Sequence, residues 1–171
     1  LKPGKVLIES NEIRRRVCEL GEEISENYRD VKPVLVTILK GGVIFASDLI
    51  REMSIPVELD FLSVSSYDKS KKSGQAKIVR DLAGDVHGKH VLLVENIVDS
   101  GSTLDRILKE MKARGAASVE VCCLLDKRVK RKHDVDIRYK GFIIDDKFVV
   151  GYGLDYNQNF RNLPDIMLLE K

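Results

Sequence analysis

The chain has 171 residues, enough for one domain with a full core, and it is 43% hydrophobic and 33% charged, the balance of an ordinary globular protein. Lysine and arginine total 29 against 27 acids, a formal charge of +2, so no global field points to a nucleic acid or a membrane as partner. No run approaches the ~20 apolar residues that span a bilayer, and no basic–apolar–small leader is visible. Cys18, Cys122 and Cys123 are odd in number and two are adjacent, which argues for reduced cytoplasmic thiols rather than a disulfide framework. His87, His90 and His133 have no zinc-like spacing and read as surface residues.

Ser10 or Asn11 is placed to cap a first helix running to Asn27, in which Ile13, Val17, Leu20 and Ile24 recur at helical spacing. PVLVTIL at 33–39 is a continuous, β-branched apolar run, the mark of a strand buried on both faces. Gly41 and Gly42 break it, and a helix follows over 43–53. VELDFLSV at 57–64 reads as a strand, and the polar stretch at 65–75 as a long loop of the kind that is usually functional. A weaker strand, AKIVRDL, comes next, then a buried strand at 90–95, a helix from near Thr103 to Arg114, and a strand at 118–126. YKGFII, FVVGYG and DIMLLE complete the set. Strands alternating with helices predict an α/β fold with a mainly parallel central sheet flanked by helices, and ligands in such folds lie beyond the carboxyl ends of the strands.

The chemistry concentrates in VLLVENIVDSGSTL at 91–104. A strand ends in Glu95 and Asn96, two apolar residues intervene, and Asp99, Ser100, Gly101, Ser102 and Thr103 lead into a helix. Gly101 permits a tight turn and a close backbone approach. Backbone N–H groups at the helix start, with the hydroxyls, can hold a phosphate dianion. The acids upstream suit hydroxyls, a cation or a proton instead. The same residues also describe a plain capped helix. No Walker loop and no G-x-G-x-x-G fingerprint is present.

This segment resembles the phosphoribosyl pyrophosphate signature of the phosphoribosyltransferases. LKGG at 39–42, SSYD at 65–68, LLDKR at 124–128 and KFVVGYGLDYNQNFRNLP at 147–164 resemble the hypoxanthine-guanine branch, in the expected order over nearly the whole chain. The resemblance implies a type I phosphoribosyltransferase fold whose chain ends form a small hood, a single domain over 1–171, and a mobile loop around 65–76. It implies purine salvage: the phosphoribosyl group of phosphoribosyl pyrophosphate passes to hypoxanthine or guanine, giving the nucleotide and pyrophosphate. It further implies Mg2+ as cofactor, a homodimer or homotetramer, and a cytoplasmic enzyme with no nucleic-acid or membrane partner.

The resemblance also assigns roles. The loop from Asp99 through Ser100, Gly101 and Ser102 to Thr103 holds the 5-phosphate, Glu95 and Asn96 meet the ribose hydroxyls, and Asp99 serves as general base or acid near N7 of the purine. Lys127 donates to the 6-oxo group, which an exocyclic amine could not accept. Without the resemblance, KRVKRK at 127–132 reads as a solvated basic face and Phe148 as core. With it, Phe148 stacks on the base and the backbone of Val149 reads its edge. Asp155 binds the metal, partly through water, with Glu95 as a further candidate ligand, and backbone near Asp155 helps read the base. Arg161 forks onto pyrophosphate, with Lys40 and Gly41 on its other side, after a cis non-proline peptide. Ser66 and Tyr67 open the loop that closes over the site.

One position departs from the signature: Asn96 stands where the family has Asp. The amide keeps an acceptor but loses a charge that favours the metal and the sugar cation. From the sequence, Asn96→Asp is expected to raise kcat/KM. The same departure gives weight to a second reading, a catalytically weak regulatory protein on this fold that binds nucleotide and RNA. Ser102 replaces a bulkier residue at a position that works through its backbone N–H.

Overall fold

The computed structural model describes residues 1–65, 77–129 and 131–170. The loop expected around 65–76 falls, with Ser66 and Tyr67, at 66–76, outside the described residues. The elements run β1 (Lys2–Ile8), α1 (Ser10–Asn27), β2 (Val34–Leu39), α2 (Val43–Glu52), β3 (Glu58–Ser65), β4 (Lys77–Arg80), β5 (His90–Val98), α3 (Ser102–Ala113), β6 (Ser118–Lys127), β7 (Tyr139–Ile144), β8 (Val149–Val150) and β9 (Ile166–Glu170).

The large sheet has six strands in the order β4-β3-β2-β5-β6-β7, parallel except for the β3–β4 pair. From β2 the chain steps outward to β3, and from β5 it steps the other way to β6. The strand order therefore reverses between β2 and β5, and the loops at their carboxyl ends diverge to leave a crevice. The apolar runs read from the sequence become these central strands: Leu35, Val36 and Val91 to Val94 are fully buried. Ile13, Val17, Leu20 and Ile24 of α1 join Phe45 and Leu49 of α2 over one face of the sheet, while Leu104, Ile107 and Met111 of α3 cover the other.

The chain ends meet in a second sheet of order β1-β9-β8, antiparallel throughout, which is the expected hood. Ser10 fastens it to the main body by donating its backbone N–H to Asp165 Oδ1 over 2.8 Å. Strand β1 is not visible in the sequence, because Lys2-Pro3-Gly4 carries neither apolar alternation nor β-branching. It exists because β9 offers it a partner. The cap of α1 is also corrected: Glu9, not Ser10 or Asn11, is the N-cap, and Glu12 reaches back to its backbone N–H over 3.1 Å.

Candidate active site

Strand β5 continues three residues past its expected end at Glu95, because Glu95, Ile97 and Val98 keep register with Cys123, Leu125 and Asp126 of β6. Side chains alternate along a strand, so Glu95 and Asn96 point to opposite faces. Glu95 shares a cavity of about 290 Å³ with Asp99, Ser100, Gly101 and Thr103, closed on its far side by Ile38, Leu39 and Val64. Four of the five phosphate-loop candidates thus surround one space with the first acid of the signature. Burial pushes the Glu95 carboxyl up to about 7, against the opposing pull of the Asn96 and Ile97 backbone N–H groups.

The loop has the geometry of an anion cradle. Gly101 adopts φ +80° and is the N-cap of α3 with no side-chain cap of its own, and at the helix start the Ser102 N–H donates to Ser100 Oγ at 3.4 Å. A Cβ at Gly101 would lie 2.8 Å from the His133 carbonyl oxygen, so glycine is required by both backbone and space. The segment after β6 backs the loop: the N–H groups of Lys132 and His133 donate to the Ser100 carbonyl at 3.0 and 3.1 Å. Arg131 adds side-chain bonds from Nε to the Asp99 carbonyl (3.0 Å) and from Nη2 to those of Val98 and Lys127 (both 3.4 Å). The same guanidinium pairs with Asp126, a carboxylate only 2% exposed, which Arg128 also contacts at 3.0 Å. In the sequence Arg131 is one member of a basic run; its role depends on where the turn after β6 brings it.

Lys127 ends β6 beside the phosphate loop. Its side chain is 9% exposed, and its ammonium lies 3.5 Å from Asp99 Oδ2 and 3.2 Å from Asp146 Oδ1. Thus the residues proposed to manage the purine's proton and its oxo group stand together, at the ends of neighbouring strands. Phe148, 58% exposed, begins the hood with its ring edge-on to Tyr156 at 5.9 Å between centroids, while Val149 is buried. At that exposure Phe148 is not part of the core.

Across the crevice, the peptide bond between Leu39 and Lys40 is cis. Lys40 Nζ reaches Gln158 Oε1 at 3.4 Å, and Arg161 pairs with Asp155 Oδ1 at 2.7 Å while donating to the Gly153 carbonyl, also at 2.7 Å. The other Asp155 oxygen accepts from the Gln158 N–H at 2.8 Å. Gln158, which the sequence did not single out, therefore stands among the Lys40, Asp155 and Arg161 candidates. Arg161 also borders a separate cavity of about 410 Å³ between α1, α2 and the hood, which holds none of the other candidates.

Asn96 occupies neither space. It is fully buried, its amide nitrogen donates to the Tyr152 carbonyl over 2.8 Å, and its Oδ1 has no hydrogen-bond partner among the described residues. It sits where Gly41 and Gly153 cross so closely that a Cβ at Gly153 would lie 2.3 Å from the Gly41 carbonyl. This contact was not anticipated, because it depends on the extra length of β5.

Among the described residues there is no cluster of three or more metal-ligating side chains. Glu95 and Asp155 as separated carboxylates match the way Mg2+ is held when substrate phosphates and water supply most of its ligands.

A family model for the phosphoribosyl transferase domain matches residues 7–157. The hypoxanthine-guanine phosphoribosyltransferase of Bacillus subtilis is 44% identical over 97% of this chain and 93% of its own. The hypoxanthine phosphoribosyltransferase of Salmonella typhimurium is 44% identical over 94% and 92%. Among solved structures, a hypoxanthine phosphoribosyltransferase from Staphylococcus aureus superposes with a TM-score of 0.93 at 39% identity, covering 98% of this chain and 92% of that one. The crevice, the cradle and the likeness in sequence and shape agree: the chain belongs to the phosphoribosyl transferase family, in its hypoxanthine-guanine branch.

Proposed function

We propose that this purine-salvage transferase moves the 5-phosphoribosyl group from phosphoribosyl pyrophosphate to hypoxanthine or guanine, releasing pyrophosphate, with the residues above as its machinery. The bond from C1 of the sugar to the pyrophosphate oxygen breaks, a bond from C1 to a purine nitrogen forms, and the purine gives up one proton. The pairing of Lys127 with Asp99 at 3.5 Å carries the reading, because it sets a donor for the 6-oxo oxygen beside a carboxylate able to take the proton.

The N–H groups of the Gly101 turn and the start of α3 bind the 5-phosphate, supported by Thr103 and Ser100. Glu95, in the same cavity, accepts from the ribose hydroxyls. Phe148 stacks on the base and the backbone of Val149 reads its edge. Lys40, Gly41 and Arg161 hold the leaving pyrophosphate. Arg161 must exchange the Asp155 carboxylate for phosphate oxygens, a swap suited to its bidentate fork. Asp155 and Glu95 would hold Mg2+ together with the diphosphate, and the bound ion supplies positive charge against the leaving oxygens. The transition state resembles a sugar cation, so these contacts act by holding opposite charges at the two ends of the breaking bond. We place the enzyme in the cytoplasm as a homodimer or homotetramer. Free thiols at Cys18, Cys122 and Cys123 suit a reducing compartment, and no described helix is long and apolar enough to cross a membrane.

The test is nucleotide formation from phosphoribosyl pyrophosphate and Mg2+ with hypoxanthine, guanine, xanthine and adenine in turn. Turnover with hypoxanthine or guanine and none with adenine is expected. Turnover with adenine would overturn the role of Lys127, and no turnover with phosphoribosyl pyrophosphate still bound would favour the regulatory reading.

A further inference from the structure

We infer that Asp146, in the turn between β7 and β8, is a positioning residue for base selection: it holds the Lys127 ammonium in place while Asp99 is engaged with the purine. The inference rests on the reading of Lys127 as donor to the 6-oxo oxygen.

A lysine side chain that is only 9% exposed keeps little of its hydration, and its charge needs an opposite charge beside it. Two carboxylates face it, and they belong to different parts of the fold. Asp99, at 3.5 Å, stands at the root of the phosphate loop, and Asp146, at 3.2 Å, comes from the hood side. The next carboxylate along β6, Asp126, is committed to Arg128 and Arg131.

In the proposed reaction Asp99 turns to the purine and takes its proton. Once Asp99 is protonated it no longer offers Lys127 a negative charge. Asp146, with no role in proton transfer, keeps that charge in place throughout. An ammonium has three N–H donors. A bond to Asp146 fixes its orientation and leaves a donor for the oxo oxygen of the base.

The chain adds a second coupling. Asp146 is two residues before Phe148, in a turn tightened by the Lys147 N–H donating to the Asp145 carbonyl at 2.7 Å. The acid that grips the ammonium and the ring that stacks on the purine therefore share one short segment. Pairing Asp146 with Lys127 ties that segment to the end of β6, so one contact links the donor to the base edge with the platform under its face.

Steady-state kinetics on wild type, Asp146→Asn, Asp146→Glu, Lys127→Met and the Asp146→Asn/Lys127→Met double variant test this, with thermal melting of each. Losing one charge-assisted bond is expected to raise KM for hypoxanthine about tenfold in Asp146→Asn and to leave KM for phosphoribosyl pyrophosphate within about twofold. Asp146→Glu, which keeps the charge, recovers most of the loss. In the Lys127→Met background, Asp146→Asn has no further effect on the hypoxanthine KM, since the two act as one unit. An unchanged hypoxanthine KM in Asp146→Asn overturns the inference. So does an equal loss in both backgrounds, which would make Asp146 a support of the turn alone. If Lys127→Met leaves the hypoxanthine KM unchanged, the reading of Lys127 fails first and takes the inference with it.

Discussion

The side-chain amide of Asn96 donates to the Tyr152 carbonyl over 2.8 Å, tying the end of the central strand β5 to the hood at the point where Gly41 and Gly153 cross. An aspartate there has no hydrogen to give when ionised and would set a buried carboxylate against a carbonyl oxygen. The gain in charge that the sequence suggests is thus opposed by a broken tether. Asn96→Asp is expected to cost roughly 2–3 kcal/mol. That corresponds to a fall in Tm of about 5–10 °C for a chain of this size, with kcat/KM unchanged or lower. A rise in kcat/KM at normal stability would return Asn96 to the ribose and the cation.

Glu95 makes the stability of the ligand-free protein depend on pH. Its carboxyl is pushed up to about 7 from an ordinary value of 4.5, by burial. Between those values the folded state holds a proton that the unfolded state has released. The stabilisation is complete below about pH 4.5 and is lost as pH rises through 7, by up to about 3 kcal/mol. Melting in a chelator at pH 5 and pH 8 should show wild type losing more than Glu95→Gln across the interval. Parallel losses in the two proteins would mean that Glu95 is hydrated in solution.

Arg131 supports the phosphate loop through the carbonyls of Val98 and Asp99 and neutralises Asp126 beneath it. Arg131→Ala leaves Asp126 with Arg128 as its cation among the described residues, so a loss of about 2–4 kcal/mol in stability is expected. KM for phosphoribosyl pyrophosphate should rise more than KM for hypoxanthine. Arg131→Lys restores charge but not the fork and should recover only part of either loss. Varying each substrate separately decides the matter; equal shifts in both KM values would remove Arg131 from the loop's support.

Phe148 should separate function from stability. The residue is 58% exposed and its ring meets Tyr156 edge-on, so Phe148→Ala is expected to cost no more than about 1 kcal/mol in unfolding. Stacking on a purine is worth roughly 1–3 kcal/mol, which predicts a KM for hypoxanthine higher by about five- to a hundredfold. A large fall in Tm with an unchanged KM would make the ring part of the core after all.

What the sequence determined by itself was whatever is local in the chain. The apolar runs at 34–39 and 91–94 are buried wherever they pack, so the central parallel strands and the helix faces of Ile13 to Ile24 were legible from pattern alone. The turn at 99–103 was legible because a glycine turn running into a helix start is a contiguous device, and the family resemblance implies a phosphate as its ligand. Tertiary structure decided everything that depends on a partner. Strand β1 forms because β9 is there to pair with it, and β5 reaches Val98 because β6 continues beside it. That extension turns Asn96 away from the cavity that Glu95 enters. Arg131, Asp146 and Gln158 carry no signal of their own, since a basic run, an acid in a turn and an exposed glutamine are ordinary surface chemistry. They gain meaning only where folding brings them against Asp126, Lys127 and Arg161, because charge acts over a few ångströms in space and not along the chain.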